Sequence, residues 1–369
     1  MLDAAYVLKT LPTALKQGKA KRQTYQGLSY LHYTDDFHHI PRGTAIFGET
    51  VIFGYPHIGR VLALKAGIQA HFKAPFWAEE KINGYNVRIT KICDQVIALT
   101  RGGFICPFTT DRLVDLMPLK IFEEHPRQVV CAEVAGPENP YLESSPPFLR
   151  EDVKLFVFDL MRQGQPGFLP YREKQARIER YGLPAVPLHG YFQVHETCAL
   201  SALILKLHQE QREGLVFKED SPRDHRAKYV TGASCIDDIQ ASSDNLLDLP
   251  PEYFINRLLR LALFVEEHAL PSSPALKQAL GSAFLDGLHT AMQGYRATHH
   301  VSKRFRCRLR KKENAELLLD YLKHASRHIQ ILPRELRQEN GYWRLEFERV
   351  YPALTGMLGD LLAGKMVYD

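Results

Sequence analysis

The spacing of hydrophobic and polar positions changes rhythm along this chain. From Phe76 to about Thr231, short runs alternate with period two: "VRITKI", "QVIALT", "VVCAEV", "LFVFDLM" and "GLVFKE". Alternation sends successive side chains to opposite faces and predicts strands, and glycine- or proline-bearing turns separate these runs. Few helices interrupt them, one predicted over Tyr171–Tyr181. The pattern is α+β with largely antiparallel strands, not repeated βαβ units. Ahead of it, a helix and the alternating stretch "GTAIFGETVIFGYPHIGRVLAL" predict a small N-terminal module. From Pro251 the period becomes helical. "PEYFINRLLRLALFVEEH" sets Phe254, Leu258, Leu261 and Phe264 on one face, and "PALKQALGSAFLDGLHTAMQGY" predicts a second helix. A last segment predicts a small α/β module from "KRFRCRLR" (strand), "NAELLLDYLKHA" (helix), "HIQILPR" and "YWRLEFERVYP" (strands). Four domains are expected, over 1–72, 73–234, 235–300 and 301–369.

A chain of 369 residues exceeds one typical core, which agrees with that division. No run approaches 18 apolar residues, and "MLDAAYVLKTLPTALKQGKAKR" lacks a signal-peptide core. A cytoplasmic protein without a membrane span is expected. The six cysteines are scattered, with no zinc-ligand spacing, and read as reduced and mostly buried. The charge of +5 permits a polyanionic partner. Two basic runs are more pointed, "KQGKAKR" and "VSKRFRCRLRKK", and the alternation over Lys303 to Lys312 in the second gives a strand face that could touch phosphates. The cluster "LHYTDDFHHI" matches no metal-ligand spacing and is not assigned one.

Chemistry first shows in "FWAEEKINGYNVRIT", where Lys81 precedes Gly84 by three residues. A Lys-x-x-Gly match alone occurs about once by chance in such a chain. Its weight comes from an ordered set of residues farther along the chain. "VVCAEVAG" places Glu133 on an otherwise apolar strand, sharing a face with Val129 and Cys131. A buried carboxylate there must be paired or working. "LFVFDLM" sets Phe156 and Phe158 on one strand face, "REGLVFKED" offers Glu213 and Lys218, and "RAKYVT" offers Arg226 and Lys228. Adenylyl transfer needs such a set. A neutral lysine amine attacks the α-phosphorus, and neighbouring cations favour the neutral form while offsetting phosphate charge. Carboxylates bind ribose hydroxyls or a hard divalent cation, and an aromatic stacks on the base.

The ordered series "EKINGYNVRI", "RGG", "AEVAGPENPY", "FVFDL", "EGLVFK" and "KYVT" resembles the covalent nucleotidyltransferases. Within them it is most similar to the archaeal-type, homodimeric ATP-dependent RNA ligases. "GYPHIGRVLAL", "DLPPEYFINRLLRLALF", "GYWRLEFERVYP" and the ending "LLAGKMVYD" extend the likeness over nearly the whole chain. The resemblance implies an antiparallel-sheet, ATP-grasp-like ligase core with a helical dimerisation domain. It makes Lys81 the adenylated residue and places Glu79 by the adenine. Gly84 gives room for phosphate, and Arg101 is placed at the ribose and phosphate region. Glu133 is a ribose or metal contact, and Phe158 is the stacking aromatic, with Phe156 as the alternative. Glu213, Lys218 and Lys228 complete the nucleotide site, with Glu133 and Glu213 as the Mg²⁺ or Mn²⁺ ligands. Arg226 stands where many relatives carry lysine, and its role stays open. Asn86 and Arg88 share a strand face with Gly84 and either position phosphate or face solvent.

The implied reaction joins 5′-phosphate and 3′-hydroxyl RNA ends, or circularises one strand, through a lysyl-AMP and an adenylylated RNA end. The expected partners are ATP, RNA and a second copy of the chain. DNA ligases and capping enzymes usually continue into an OB-fold after the last lysine motif, whereas a helical pattern occupies that place here. A non-catalytic RNA-binding protein on the same scaffold is the alternative of another class.

Overall fold

The computed structural model describes residues 2–270, 274–325 and 329–366. The end of the "LLAGKMVYD" stretch and the first residue of "HIQILPR" lie outside these. The N-terminal sheet is an antiparallel meander of β1 (Ala20–Tyr25), β2 (Leu28–Tyr33), β3 (Ala45–Phe47) and β4 (Thr50–Ile52). The helix Ala4–Lys16 begins where Asp3 accepts a hydrogen bond from the Tyr6 N–H at 2.8 Å, and it buries Val7 and Ala14 against that sheet.

Two sheets come next. The first runs β10 (Lys154–Arg162), β9 (Gln128–Ala135), β7 (Tyr85–Ile92), β8 (Gln95–Thr100), all antiparallel. Its strands are apolar on both faces because both are covered. Val129, Cys131 and Leu99 pack on the N-terminal sheet, while Val130, Ala132 and Ile89 pack toward the C-terminal module. The second runs β11 (Leu188–Phe192), β6 (Phe76–Lys81), β12 (Gly214–Glu219), β13 (Arg226–Val230), β5 (Gly59–Arg60). Phe76, Ala78, Leu215, Phe217, Ala227 and Tyr229 form one face, packed on the helices Leu64–His71 and Thr197–Gln209. The alternate positions, Glu79, Lys81, Val216, Lys218 and Lys228, face the first sheet across a cleft. The period-two rule thus loads one face of this sheet with charge. Residues 59–72, expected in the N-terminal module, join this core through β5 and the helix after it.

After β13 the chain is helical over Gly232–Ser242, Glu252–Glu267 and Pro274–Thr298. Phe254, Leu261 and Phe264 are buried as the periodicity requires, but Leu258 is exposed beside Ile255 and Leu259. The neighbouring helices cover only part of that apolar face. The C-terminal module packs the helix Lys312–Ala325 on β14 (Ser302–Leu309), β16 (Tyr342–Val350) and β15 (Gln330–Glu339), and the helix Pro352–Leu362 comes last. Cys106, Cys131, Cys235 and Cys307 are buried, Cys93 and Cys198 exposed. Among the described residues, no helix is long and apolar enough to cross a membrane.

Candidate active site

A cleft of about 920 Å³ lies between the charged face of the second sheet and the first sheet. Residues of β1, β2 and the helix Lys312–Ala325 close its mouth, Lys21, Tyr321 and His324 among them. Glu79, Lys81, Gly84, Arg101, Glu133, Phe158, Lys218 and Lys228 all line it, although they come from six separate stretches of chain. Glu213 stands behind Lys81 and faces a smaller adjoining recess. Phe156 is not on the wall.

Lys81 ends β6, and its register partner Gly214 begins β12, so Glu213 sits beside it. Lys81 Nζ is 2.5 Å from Glu213 Oε1, both side chains mostly covered, and Glu213 Oε2 is buried without a hydrogen-bond partner. Lys228 projects nearby, its ammonium pushed down to about 8 by burial first, then by Arg60, Lys81 and Arg101. Across the cleft, Glu133 is pushed up to about 7 by burial; Lys81 opposes the shift and Glu213 adds to it. No cation lies within ion-pair distance of Glu133 among the described residues. Gly84 is required by close approach rather than by a turn: a Cβ there would stand 2.5 Å from the Val134 carbonyl oxygen and 2.8 Å from Glu133 Cγ. Phe158 meets Tyr55 edge-on, with ring centroids 5.3 Å apart.

Two of the charges on the cleft wall, Glu79 and Lys218, are already paired within the protein. The Glu79 carboxylate is almost fully buried, accepting from Tyr171 Oη at 2.9 Å and pairing with Lys174 and Lys218, the latter at 2.5 Å. Burial alone would raise it, but Lys218 and then Lys174 hold it below the ordinary carboxylate value. Lys218 also donates to the Phe158 carbonyl at 2.6 Å and to Asp159 at 3.0 Å. Asp159 takes Arg226 at 2.5 Å and Tyr55 Oη at 2.6 Å. Arg226, left open by the sequence, is therefore a buried counter-ion stacked on Phe168. Arg88 likewise contacts no cleft. It is fully buried and donates to three backbone carbonyls. Charges removed from water must find partners, and this network supplies them within the protein.

Sequence reasoning missed Lys174, Tyr171, Asp159 and Arg60. Asp159 carried the signal that singled out Glu133, an acid inside an apolar strand. Lys174 carried none, since its helix Tyr171–Tyr181 is rich in charge throughout. Arg60 is revealed only by the parallel register of β5, which sets it opposite Lys228.

The chemistry of these groups suits a nucleotide and a divalent cation: an aromatic wall, uncompensated cations, and two carboxylates with free acceptor oxygens. Comparison with known proteins points to ATP-dependent ligases. Residues 74–230 match the RNA ligase family model, and residues 242–365 match the model of the ligase Pab1020 C-terminal region. A solved structure from Aquifex aeolicus, provisionally designated an ATP-dependent DNA ligase, is 50% identical over 98% of this chain and 100% of its own, with a TM-score of 0.95. An archaeal ATP-dependent RNA ligase, solved in two forms, is 28% identical over 97% of this chain and 96% of its own, with a TM-score of 0.87. The uncharacterized protein MJ0414 of Methanocaldococcus jannaschii is 29% identical over 88% of this chain and 84% of its own. The likeness takes in the charged sheet face, the helical segment in place of an OB-fold and the C-terminal module, and the chain belongs to the archaeal-type ATP-dependent RNA ligase family.

Proposed function

We propose that this protein joins a 5′-phosphate RNA end to a 3′-hydroxyl end through a lysyl-AMP on Lys81. The observation that carries this reading is the placement of Lys81. It sits at a strand end in the cleft, against Glu213, with Lys228, Arg101, Glu133 and Phe158 on the surrounding wall. Lys81 Nζ forms the N–P bond to the α-phosphorus of ATP as the bond to pyrophosphate breaks, and its proton passes to Glu213 Oε1, the base in reach. Lys228 and Arg101 neutralise charge on the phosphates, and Phe158 stacks on the base. A 5′-phosphate oxygen then takes the AMP, breaking the N–P bond. Finally the 3′-hydroxyl attacks the activated phosphate and AMP leaves. Glu133 and Glu213 would hold Mg²⁺ or Mn²⁺, which when bound offsets charge on the phosphate oxygens.

Incubation with α-labelled ATP and a divalent cation, followed by denaturation, tests the reading. Acid-labile label is expected on the wild-type protein and absent from Lys81→Ala. Protein shown by mass to carry no AMP beforehand, and that still takes no label, would overturn it. Labelling by GTP in place of ATP would point to capping chemistry. Parallel RNA and DNA strands then decide which polynucleotide the labelled enzyme seals. The exposed Ile255, Leu259 and Leu285 on the helical segment support a homodimer, which sedimentation tests.

A further inference from the structure

A second recess, of about 500 Å³, adjoins the main cleft and shares Arg42, Tyr55, Pro56, Arg101 and Gly102 with it. Arg42, His57, Arg101 and His39 reach into it against one carboxylate, Asp36, whose Oδ1 accepts the backbone N–H of Arg42 at 2.7 Å. Arg42, His57 and Arg101 have no acidic partner among the described residues. Lone surface arginines are ordinary, but these three basic groups are assembled from below. Buried Arg88 donates to the carbonyls of Gly43 at 2.8 Å, Phe53 at 2.5 Å and Thr100 at 3.0 Å. Each carbonyl lies within four residues of one of the three basic side chains. Gly43 and Gly103 clamp the same loops: a Cβ on Gly43 would stand 2.0 Å from the Arg101 carbonyl oxygen, and one on Gly103 would stand 2.6 Å from the Gly43 oxygen. Arg101 Nη2 also lies 3.1 Å from His57 Nδ1. A guanidinium only donates, so Nδ1 accepts and Nε2–H remains a donor for the recess. Setting the Arg42 and Arg101 guanidiniums on one recess without a counter-ion is unfavourable until an anion arrives, and forked guanidiniums match phosphate oxygens.

We propose that this recess binds a phosphate dianion, and that its occupant is the 5′-terminal phosphate of the strand to be joined. The inference rests on the reading of Lys81 as the adenylation site. It goes beyond that reading in giving the N-terminal module a substrate role, through Arg42 and His57. Released pyrophosphate has the same chemistry, so the test separates the two sources. A Lys81→Ala chain, which cannot consume its substrate, is titrated at fixed ionic strength with RNA strands differing only in a 5′-phosphate or a 5′-hydroxyl. The same titration is run on chains carrying Arg42→Ala, or Arg42→Ala with His57→Ala, and pyrophosphate is titrated against each. The 5′-phosphate is expected to tighten binding about tenfold, the worth of a charge-assisted hydrogen bond. That increment should shrink in the single variant and vanish in the double one. Equal binding of both strands by the parent, or an increment kept in the double variant, overturns the proposal. Pyrophosphate binding that depends on Arg42 and His57 without any 5′-phosphate preference also overturns it, and reassigns the recess to the leaving group. No adenylation is involved, so a failure of the lysyl-AMP reading would show in the labelling assay and not here.

Discussion

Lys81 Nζ and Glu213 Oε1 stand 2.5 Å apart although 132 positions separate them in the sequence, and the pairing of β6 with β12 brings them together. This contact gives the proposed nucleophile a proton acceptor and shields it from bulk solvent. Glu213→Gln keeps the shape and removes the charge. Its rate of label transfer from α-labelled ATP is expected to fall roughly 100-fold, the scale of a lost general base. Label at the wild-type rate would exclude Glu213 from the step.

Lys228 makes a separate pH prediction. Its native ammonium is depressed to about 8 from an ordinary 10.5, by burial and then by Arg60, Lys81 and Arg101. Below pH 8 both folded and unfolded chains carry the proton, and the cost of a crowded, partly buried cation is fully present. Between about 8 and 10.5 the unfolded chain holds more protons, so stability rises with pH. Lys228→Met should flatten that rise and stabilise the ligand-free protein at pH 7, while weakening nucleotide binding. Unfolding curves from about pH 7 to 10.5 check the first part, and nucleotide titration checks the second. A wild-type protein with no rise in that window would contradict the argument.

Asp159 is the hub for Lys218, Arg226 and Tyr55. Asp159→Asn leaves two buried cations short of a counter-charge and should cost about 3–5 kcal/mol. Asp224 also binds Arg226, at 2.9 Å, but is 39% exposed. Asp224→Asn should therefore cost under about 1 kcal/mol. Urea unfolding of the two variants side by side separates buried from screened pairing. Equal losses would show that the network is not the source.

Much of the architecture was legible because alternation is local. The helix Tyr171–Tyr181 and strands such as β7, β9 and β12 follow from residue spacing alone. The face shared by Val129, Cys131 and Glu133 arises the same way, and the structure puts the first two on the N-terminal sheet and the third on the cleft wall. Leu258 shows the limit: its helical period matches Phe254 and Leu261, yet the described structure leaves it 37% exposed while those two are buried. Periodicity gives the direction of a side chain but not its opposite neighbour. Asn86 and Arg88 make the same point. They share a strand face, yet Asn86 reaches the cleft and Arg88 is buried beneath the basic recess.

By itself the sequence determined the succession of strands, the α+β class and the charged face of the second sheet, and it singled out Lys81 as the candidate nucleophile. These rest on short-range spacing and on an ordered set of residue types. Only the tertiary structure decided what each charge does. Glu79 and Lys218 brace each other through Lys174 and Asp159, Arg226 is a counter-ion, and Arg88 gathers three loops. Their partners lie far away along the chain. The state and role of a buried charge are set by the groups that replace its water, and the fold alone brings those groups into place.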